Sequence, residues 1–348
     1  MEPIAADLSG SPGGQVHASS KGLEEQFGGP LVSVIIPCYN QGRFVGEAIE
    51  SVLAQTYPRV ELIVVDDDSP DDTAAIVGRY DSVKYLYQDH KRVPAARNLG
   101  LSASGGAFVM FLDADDRLTS NAVAAHLHCF AEHPDAGFVV GDIDRIHEDG
   151  SFEFAPRWPV LTSNFYEELL KANHVANTIA VMFRRAALEE LGGFDTSTNG
   201  AEDYELLLRT ARSFPSAHHL TVVAHYRRYA TSSSRRGVRL LRAMRNILRS
   251  QRPFIAGNHR LEAASRQGGA YWRDHFGVTA MKEFRSHLRR GDLLGALGTF
   301  AALLYYVRGR LLLFPWTYRR RLLAVGARFL REHLRFGRIH HPAEHTSS

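Results

Sequence analysis

The sequence predicts an α/β fold, a mostly parallel sheet flanked by helices, with a C-terminal helical extension. Three observations predict it. Short apolar runs alternate with stretches of helical spacing from Leu31 to Leu112. Several of these runs stop at clustered carboxylates, as buried parallel strands do when they deliver charge to a sheet edge. Beyond Arg235 the chain turns basic and shows helical spacing alone.

Each element follows in order. Val32 to Ile36 is the first expected strand, and Pro37 ends it. From Phe44 to Ala54 the apolar residues Phe44, Val45, Ala48, Ile49, Val52 and Leu53 share one helical face. Val60 to Val65 is the second strand and runs into Asp66-Asp67-Asp68-Ser69. Asp71-Asp72-Thr73 marks a helix start, with carboxylates where the dipole favours them. Val83 to Tyr87 is a third strand, and Pro94 to Ser102 is a helix carrying Arg97 and Asn98 near its start. Ala107 to Leu112 is the fourth strand and stops at Asp113-Ala114-Asp115-Asp116. The order then becomes mixed. Asn121 to Glu132 is a helix, and Ala136 to Ile146 with Phe152 to Phe154 forms a hairpin. Thr178 to Arg184 is a strand, followed by a short helix and Gly192-Gly193-Phe194-Asp195. Ala201 to Arg212 is a helix and Ala217 to Tyr229 the last strand.

Ligands of such sheets sit outside the carboxyl ends of the strands. Three of those ends, Tyr39-Asn40, Asp66 to Asp68 and Asp113 to Asp116, are polar and acidic together. Crowded carboxylates repel one another unless a cation lies between them. Hard divalent ions combine one or two carboxylates with a substrate's phosphates. The edge is therefore a candidate for a metal-bound nucleotide; a solvated acidic turn is the plainer alternative.

Composition bounds the rest. The 348 residues are 45% hydrophobic and 23% charged, a globular balance with room for one large domain or two modest ones. Cys38 and Cys129 are the two cysteines, which is no disulfide framework and suits a reducing compartment. Residues 1–29 are rich in Gly and Ser, without a basic-then-apolar leader pattern, and are expected to be a disordered lead-in. No apolar run is long enough to span a bilayer. Residues 235–348 hold 23 Lys and Arg against 6 Asp and Glu, whereas residues 1–234 hold 18 against 32. That split suggests an acidic catalytic or binding body and a basic region that meets an anionic surface.

Taken together, the motifs resemble family 2 glycosyltransferases, inverting enzymes of the GT-A fold. The matching pieces are Ser33-Val34-Ile35-Ile36-Pro37-Cys38-Tyr39-Asn40, Glu61-Leu62-Ile63-Val64-Val65-Asp66-Asp67-Asp68-Ser69, Ala96-Arg97-Asn98-Leu99-Gly100 and Phe111-Leu112-Asp113-Ala114-Asp115-Asp116. Gly192-Gly193-Phe194-Asp195 and Glu202-Asp203-Tyr204-Glu205-Leu206 complete the series. Each motif alone is weak; in this order they are specific, and they cover about residues 31–230. The resemblance implies a mostly parallel, Rossmann-like GT-A sheet at 30–232, with a nucleotide-sugar half at 30–118 and an acceptor half at 119–232. A basic helical region at 233–340 and a tail at 341–348 follow.

The resemblance also implies roles. Pro37, Tyr39 and Asn40 would contact the donor nucleotide, Tyr39 near the base. Asp66, Asp67 or Asp68 would accept hydrogen bonds from base or ribose, and Arg97 would lie near the base and phosphates. Asp113, Ala114 and Asp115 would hold the sugar nucleotide, with Asp113 and Asp115 on Mn²⁺ or Mg²⁺. Asp203 would be the catalytic base, taking the acceptor's proton. Glu202 would position the acceptor or its loop, and Asp116 would cap a helix or touch sugar. By the residues alone, Glu202 and Asp203 equally well cap a helix. The implied donor is a nucleoside-diphosphate sugar, UDP being the family's commonest nucleotide. The implied acceptor is a saccharide or lipid-linked hydroxyl in cell-envelope polysaccharide synthesis.

One departure stands out. Where the family often has Tyr-Arg-x-His, this chain has Tyr226-Arg227-Arg228-Tyr229, which puts a third protein ligand to the metal in doubt. Arg227 and Arg228 would support the acceptor site or neutralise the diphosphate, or else are solvated edge-strand arginines.

Residues 235–340 are either a helical subdomain packed on itself or a surface for an anionic membrane, with Tyr305, Tyr306, Phe314 and Trp316 beside arginines. The expected location is cytoplasmic, extending to the cytoplasmic face of a membrane. A spent sugar-nucleotide-binding or scaffold protein of a polysaccharide assembly is the rival reading. No nucleic-acid module accompanies the basic tail, so no nucleic acid is expected. The sequence after the first strand, Pro37-Cys38-Tyr39-Asn40-Gln41-Gly42, is no dinucleotide fingerprint and excludes an oxidoreductase of that kind.

Overall fold

The computed structural model describes residues 29–155, 164–175, 177–198, 200–229 and 236–307. The expected lead-in before Gly29 and the apolar and arginine-rich stretch after Val307 lie outside the described residues.

Strand β1 (Val32–Cys38) is buried along its whole length, because both sheet faces above it are covered. It pairs in parallel with β2 (Val60–Asp66) and with β4 (Phe108–Phe111). Strand β3 (Val83–Tyr87) pairs in parallel with the outer side of β2. As an edge strand it exposes Lys84, Tyr85 and Tyr87, where β1 exposes nothing. The other strands are β5 (Arg117–Leu118), β6 (Phe138–Ile146), β7 (Phe152–Phe154), β8 (Val181–Arg184) and β9 (Ser216–Arg227). The sheet runs β3-β2-β1-β4-β8-β6-β9-β5, with β7 pairing β6. It is parallel through β4 and mixed beyond, since β8 runs antiparallel to both β4 and β6.

Three expectations change. Pro37 does not end β1, which continues to Cys38 and stays in register with Val65 and Asp66. Its missing N–H faces the side where β4 pairing has already stopped at Phe111, so no ladder bond is lost. Thr178–Ala180 is a 3₁₀ turn rather than strand, and β8 begins at Val181. The two-residue β5, pairing with β9 at His225 and Ala224, was absent from the sequence reading.

Helix α1 (Gly42–Leu53) buries Phe44, Val45, Ala48, Ile49 and Val52 against the sheet; Leu53 points outward instead. Short α2 (Thr73–Val77) follows β2, and α3 (Val93–Ala103) follows β3. Gly100 lets α3 lie close on the sheet, because a Cβ there would come within 2.3 Å of the Ile35 side chain. That contact sets the depth at which Arg97, one turn earlier, enters the interior. Helices α4 (Ala122–Glu132), α5 (Phe165–Lys171), α6 (Arg185–Leu191) and α7 (Glu202–Ser213) complete the sheet's cover. The layer after them comprises α8 (Gly237–Ser250), α9 (Arg252–Ile255), the 31-residue α10 (His259–Arg289) and α11 (Leu293–Val307). Trp272 of α10 joins it to the main core, its ring 5.4 Å from that of Tyr204. Among the described residues no helix is long and apolar enough to cross a membrane.

Both cysteines are buried and unpaired. Burial pushes the Cys38 thiol up to about 12 and raises Cys129 as well. Neither thiol is expected to react with a thiol-specific reagent in the native protein, and both should react after denaturation. Labelling followed by mass spectrometry checks this.

Candidate active site

The carboxyl ends of β1, β2 and β4 converge at one edge of the sheet, as the strand order requires. The backbone there is unusual. Asn40, Asp68 and Arg92 all have positive φ, at 54°, 66° and 74°. Asn and Asp tolerate that region; an arginine held there is a strained residue of the kind that clusters at functional sites.

The Asp66-Asp67-Asp68 triplet divides its work. Asp67 is buried, and its carboxylate accepts from Gln88 Nε2 at 2.6 Å and from the backbone N–H groups of Lys91 and Arg92 at 2.7 and 2.8 Å. It holds the 88–92 loop and the strained Arg92 through three hydrogen bonds, and the expected contact of Asp67 with base or ribose would have to share a buried carboxylate with that loop. Asp66 is buried too, accepting from Ser69 N and the Tyr85 hydroxyl. Asp68 is exposed and accepts from the Tyr87 hydroxyl at 2.8 Å. Tyr39 is 45% exposed, its ring centroid 4.4 Å from that of His90. Pro37 is buried in β1 two residues before it, and exposed Asn40 follows it, its backbone N donating to Ser69 Oγ.

Arg97 is not a surface cation. It is 2% exposed, donating from Nη2 to Asp113 Oδ1 at 2.7 Å and from Nη1 to Asp203 Oδ1. One guanidinium thus joins the carboxylate after the fourth strand to Asp203, which lies 106 residues beyond Arg97 itself. The expected positions Asp113 and Asp203 are therefore neighbours. Asn177, which the sequence reading missed, donates to the other Asp113 oxygen at 3.0 Å. No local pattern marks it. Burial pushes the Asp203 carboxyl up to about 7, with Glu202 and Asp113 adding to the rise and Arg97 opposing it. Glu202 accepts from Gly200 N at 2.9 Å, holding the turn before α7.

Asp113, Asp115 and Asp116 each offer an oxygen within 4.8 Å of the others. Asp116, expected to cap a helix or touch sugar, is buried. Its Oδ1 accepts from Arg227 N, while Oδ2 is buried with no hydrogen-bond partner among the described residues. Burial, then Asp115 and Asp113, raise its carboxyl well above the usual range, and Asp115 is raised by burial and Asp113. An unpartnered buried carboxylate oxygen beside two further carboxylates is what a hard cation would relieve.

Tyr229, at the position where a histidine was expected, donates its hydroxyl to Asp115 Oδ2 at 2.7 Å and accepts from Gln41 Nε2 at 2.9 Å. It orients the carboxylate. Arg227 is buried and donates from all three nitrogens: Nε to the Asp115 carbonyl, Nη1 to the Glu148 carbonyl, Nη2 to Glu47. It braces the acidic loop. Arg228 is exposed and pairs with Glu153. Ala114 is buried between the two ligating candidates.

The chain is similar to known proteins in sequence and in fold. Residues 33–192 match the model of glycosyl transferase family 2. Glycosyltransferase GlyG of Streptococcus pneumoniae serotype 4 is 35% identical over 130 residues, 36% of this chain and 43% of that protein. The chain spans from a fifth to under half of the length of the first curated relatives it matches. Among solved structures, S. aureus TarS 1–349 superposes with a TM-score of 0.59 at 18% identity, covering 80% of this chain and 82% of that one. Mannosyltransferase PcManGT from Pyrobaculum calidifontis, in complex with GDP-Man and Mn²⁺, superposes at 0.55 with 23% identity over 80% and 81%. The fold is thus the GT-A fold with a C-terminal helical region.

Proposed function

We propose, for a chain that belongs to glycosyl transferase family 2 through residues 33–192, that it transfers a sugar with inversion from a nucleoside-diphosphate sugar to an acceptor hydroxyl. The observation that carries this reading is the Asp113–Arg97–Asp203 bridge, which sets a candidate base beside a candidate metal cluster. The donor lies in the 30–118 half, its base at Tyr39 and its ribose at exposed Asp68, and the acceptor in the 119–232 half. TarS has a structure with UDP-GlcNAc and PcManGT one with GDP-Man and Mn²⁺, which supports a nucleotide sugar and leaves UDP and GDP both to be tried.

The residues present fit a hard divalent ion, held by Asp113 and Asp115 with Asp116 as the third carboxylate. Mn²⁺ or Mg²⁺ held there would stabilise the charge that grows on the leaving diphosphate. Asp203 takes the proton of the acceptor hydroxyl as that oxygen attacks the anomeric carbon. Arg97 fixes Asp203 and Asp113 relative to each other, so that base and leaving group face one sugar. Tyr229 and Arg227 hold the acidic loop in place. We assign the product to cell-envelope polysaccharide or a lipid-linked saccharide and the protein to the cytoplasm, a placement its two buried, unpaired cysteines support.

The test is nucleotide release from UDP-, dTDP- and GDP-sugars with Mn²⁺ or Mg²⁺ and candidate acceptors. Release from one donor, abolished by chelator and by Asp115→Ala, is the expected result. Nucleotide binding with no turnover under any condition would replace this reading with the spent-site alternative.

A further inference from the structure

Beneath the C-terminal helices is a cavity of about 850 Å³ that the proposed chemistry does not use. Leu241, Leu248, Ile255 and Trp272 give it an apolar floor. Arg245, Arg249, Arg252, Arg266 and Arg273 line it against a single carboxylate, Glu262. Arg266 lies 3.8 Å from Glu262, and Arg245 sits over the Tyr305 and Tyr306 rings. Exposed Arg249, Arg252 and Arg273 have no ion-pair partner among the described residues. Five guanidinium groups around one pocket repel one another unless an anion joins them.

The cavity adjoins a second feature through Tyr305. Helix α11 buries Ala296, Thr299, Leu303 and Val307 and turns Leu294, Leu297 and Leu304 outward, 84%, 65% and 50% exposed. An apolar helix face beside a cluster of arginines is the pattern of an interfacial surface.

We propose that the cavity binds the phosphate headgroup of an anionic membrane phospholipid while the outward face of α11 rests among the acyl chains of the same leaflet. One such molecule satisfies both halves: its phosphate suits the guanidinium forks and its chains suit the apolar face. A soluble anion satisfies only the first. The chain's own residues 308–348, with nine arginines and two glutamates, are the wrong charge to fill the pocket. Trp272, on the cavity floor, packs on Tyr204, the neighbour of Asp203. A bound headgroup therefore lies one side chain, Trp272, away from the helix that carries the proposed base. The proposal concerns binding and stands apart from the reaction assigned above.

Vesicle flotation and titration with short-chain lipid test it, using the full chain. The protein should float with vesicles of phosphatidylcholine and phosphatidylglycerol in equal parts, and not with phosphatidylcholine alone. Soluble dihexanoylphosphatidylglycerol should bind saturably at one site. Arg249→Gln with Arg273→Gln should weaken that site by roughly tenfold or more, two charge-assisted contacts being removed. Leu297→Ser with Leu304→Ser should reduce flotation and leave short-chain binding in place. Arg289→Gln with Arg290→Gln, outside the cavity, should not change short-chain binding, and the cavity variants should release nucleotide from donor in solution as the wild type does. Short-chain binding indifferent to the cavity arginines would overturn the proposal. So would equal binding of phosphatidylcholine, or inorganic phosphate binding as tightly as the lipid.

Discussion

Asp203→Asn is expected to lower turnover by roughly 10²–10⁴-fold, the usual worth of a positioned general base, while donor binding persists. The amide keeps the size of the side chain and its place at the start of α7 but cannot accept the acceptor's proton. The pH dependence sharpens the test. Burial, Glu202 and Asp113 push the Asp203 carboxyl up to about 7, against the pull of Arg97. A base works only when ionised, so kcat/KM of the wild type should rise with pH and level off above that value. The residual activity of Asp203→Asn should lack this limb. Initial rates from pH 5 to 9, with donor affinity measured by calorimetry, decide it. If the limb persists in the variant, the base is another group.

Arg97→Gln is expected to be the most damaging single change to stability near the site. Removing one partner of a buried ion pair costs about 3–5 kcal/mol. Asp113 and Asp203 keep 27% and 25% of their side chains exposed, so solvent takes up part of that cost. We expect about 2–3 kcal/mol at pH 8 after this discount. The sign with pH follows from which form suffers. Without the guanidinium, ionised Asp203 loses its buried partner, so the deficit is largest at high pH and shrinks as acid protonates Asp203. Urea unfolding at pH 8 and pH 5 measures both ends. An equal deficit at the two pH values would reject the electrostatic account. Arg97→Lys should recover only part, since a point charge cannot bond both carboxylates as the planar fork does.

The same residues show what could be read in advance. Strands β1, β2 and β4 were legible because parallel strands buried on both faces must be continuous apolar runs. The sequence reading also put the three polar strand ends at one sheet edge, because in such sheets strand order alone brings the carboxyl ends together. Within that edge Asp67 is expected to meet base or ribose, and the loop folded over it takes three of its hydrogen bonds. Asp116 is expected to cap a helix or touch sugar, and the strand folded over it takes one oxygen and leaves Oδ2 unpartnered within the acidic cluster.

The amino-acid pattern by itself determined the α/β order, the family motifs and the candidate residues, since periodicity reports which face of each element must leave water. Tertiary structure alone decided what each charge does. Arg97 meets Asp203 across 106 residues, and Arg227 meets the Asp115 carbonyl across 112. A buried charge is stable only with a partner at hydrogen-bonding distance, and no local spacing can state a partner that chain folding brings from so far away.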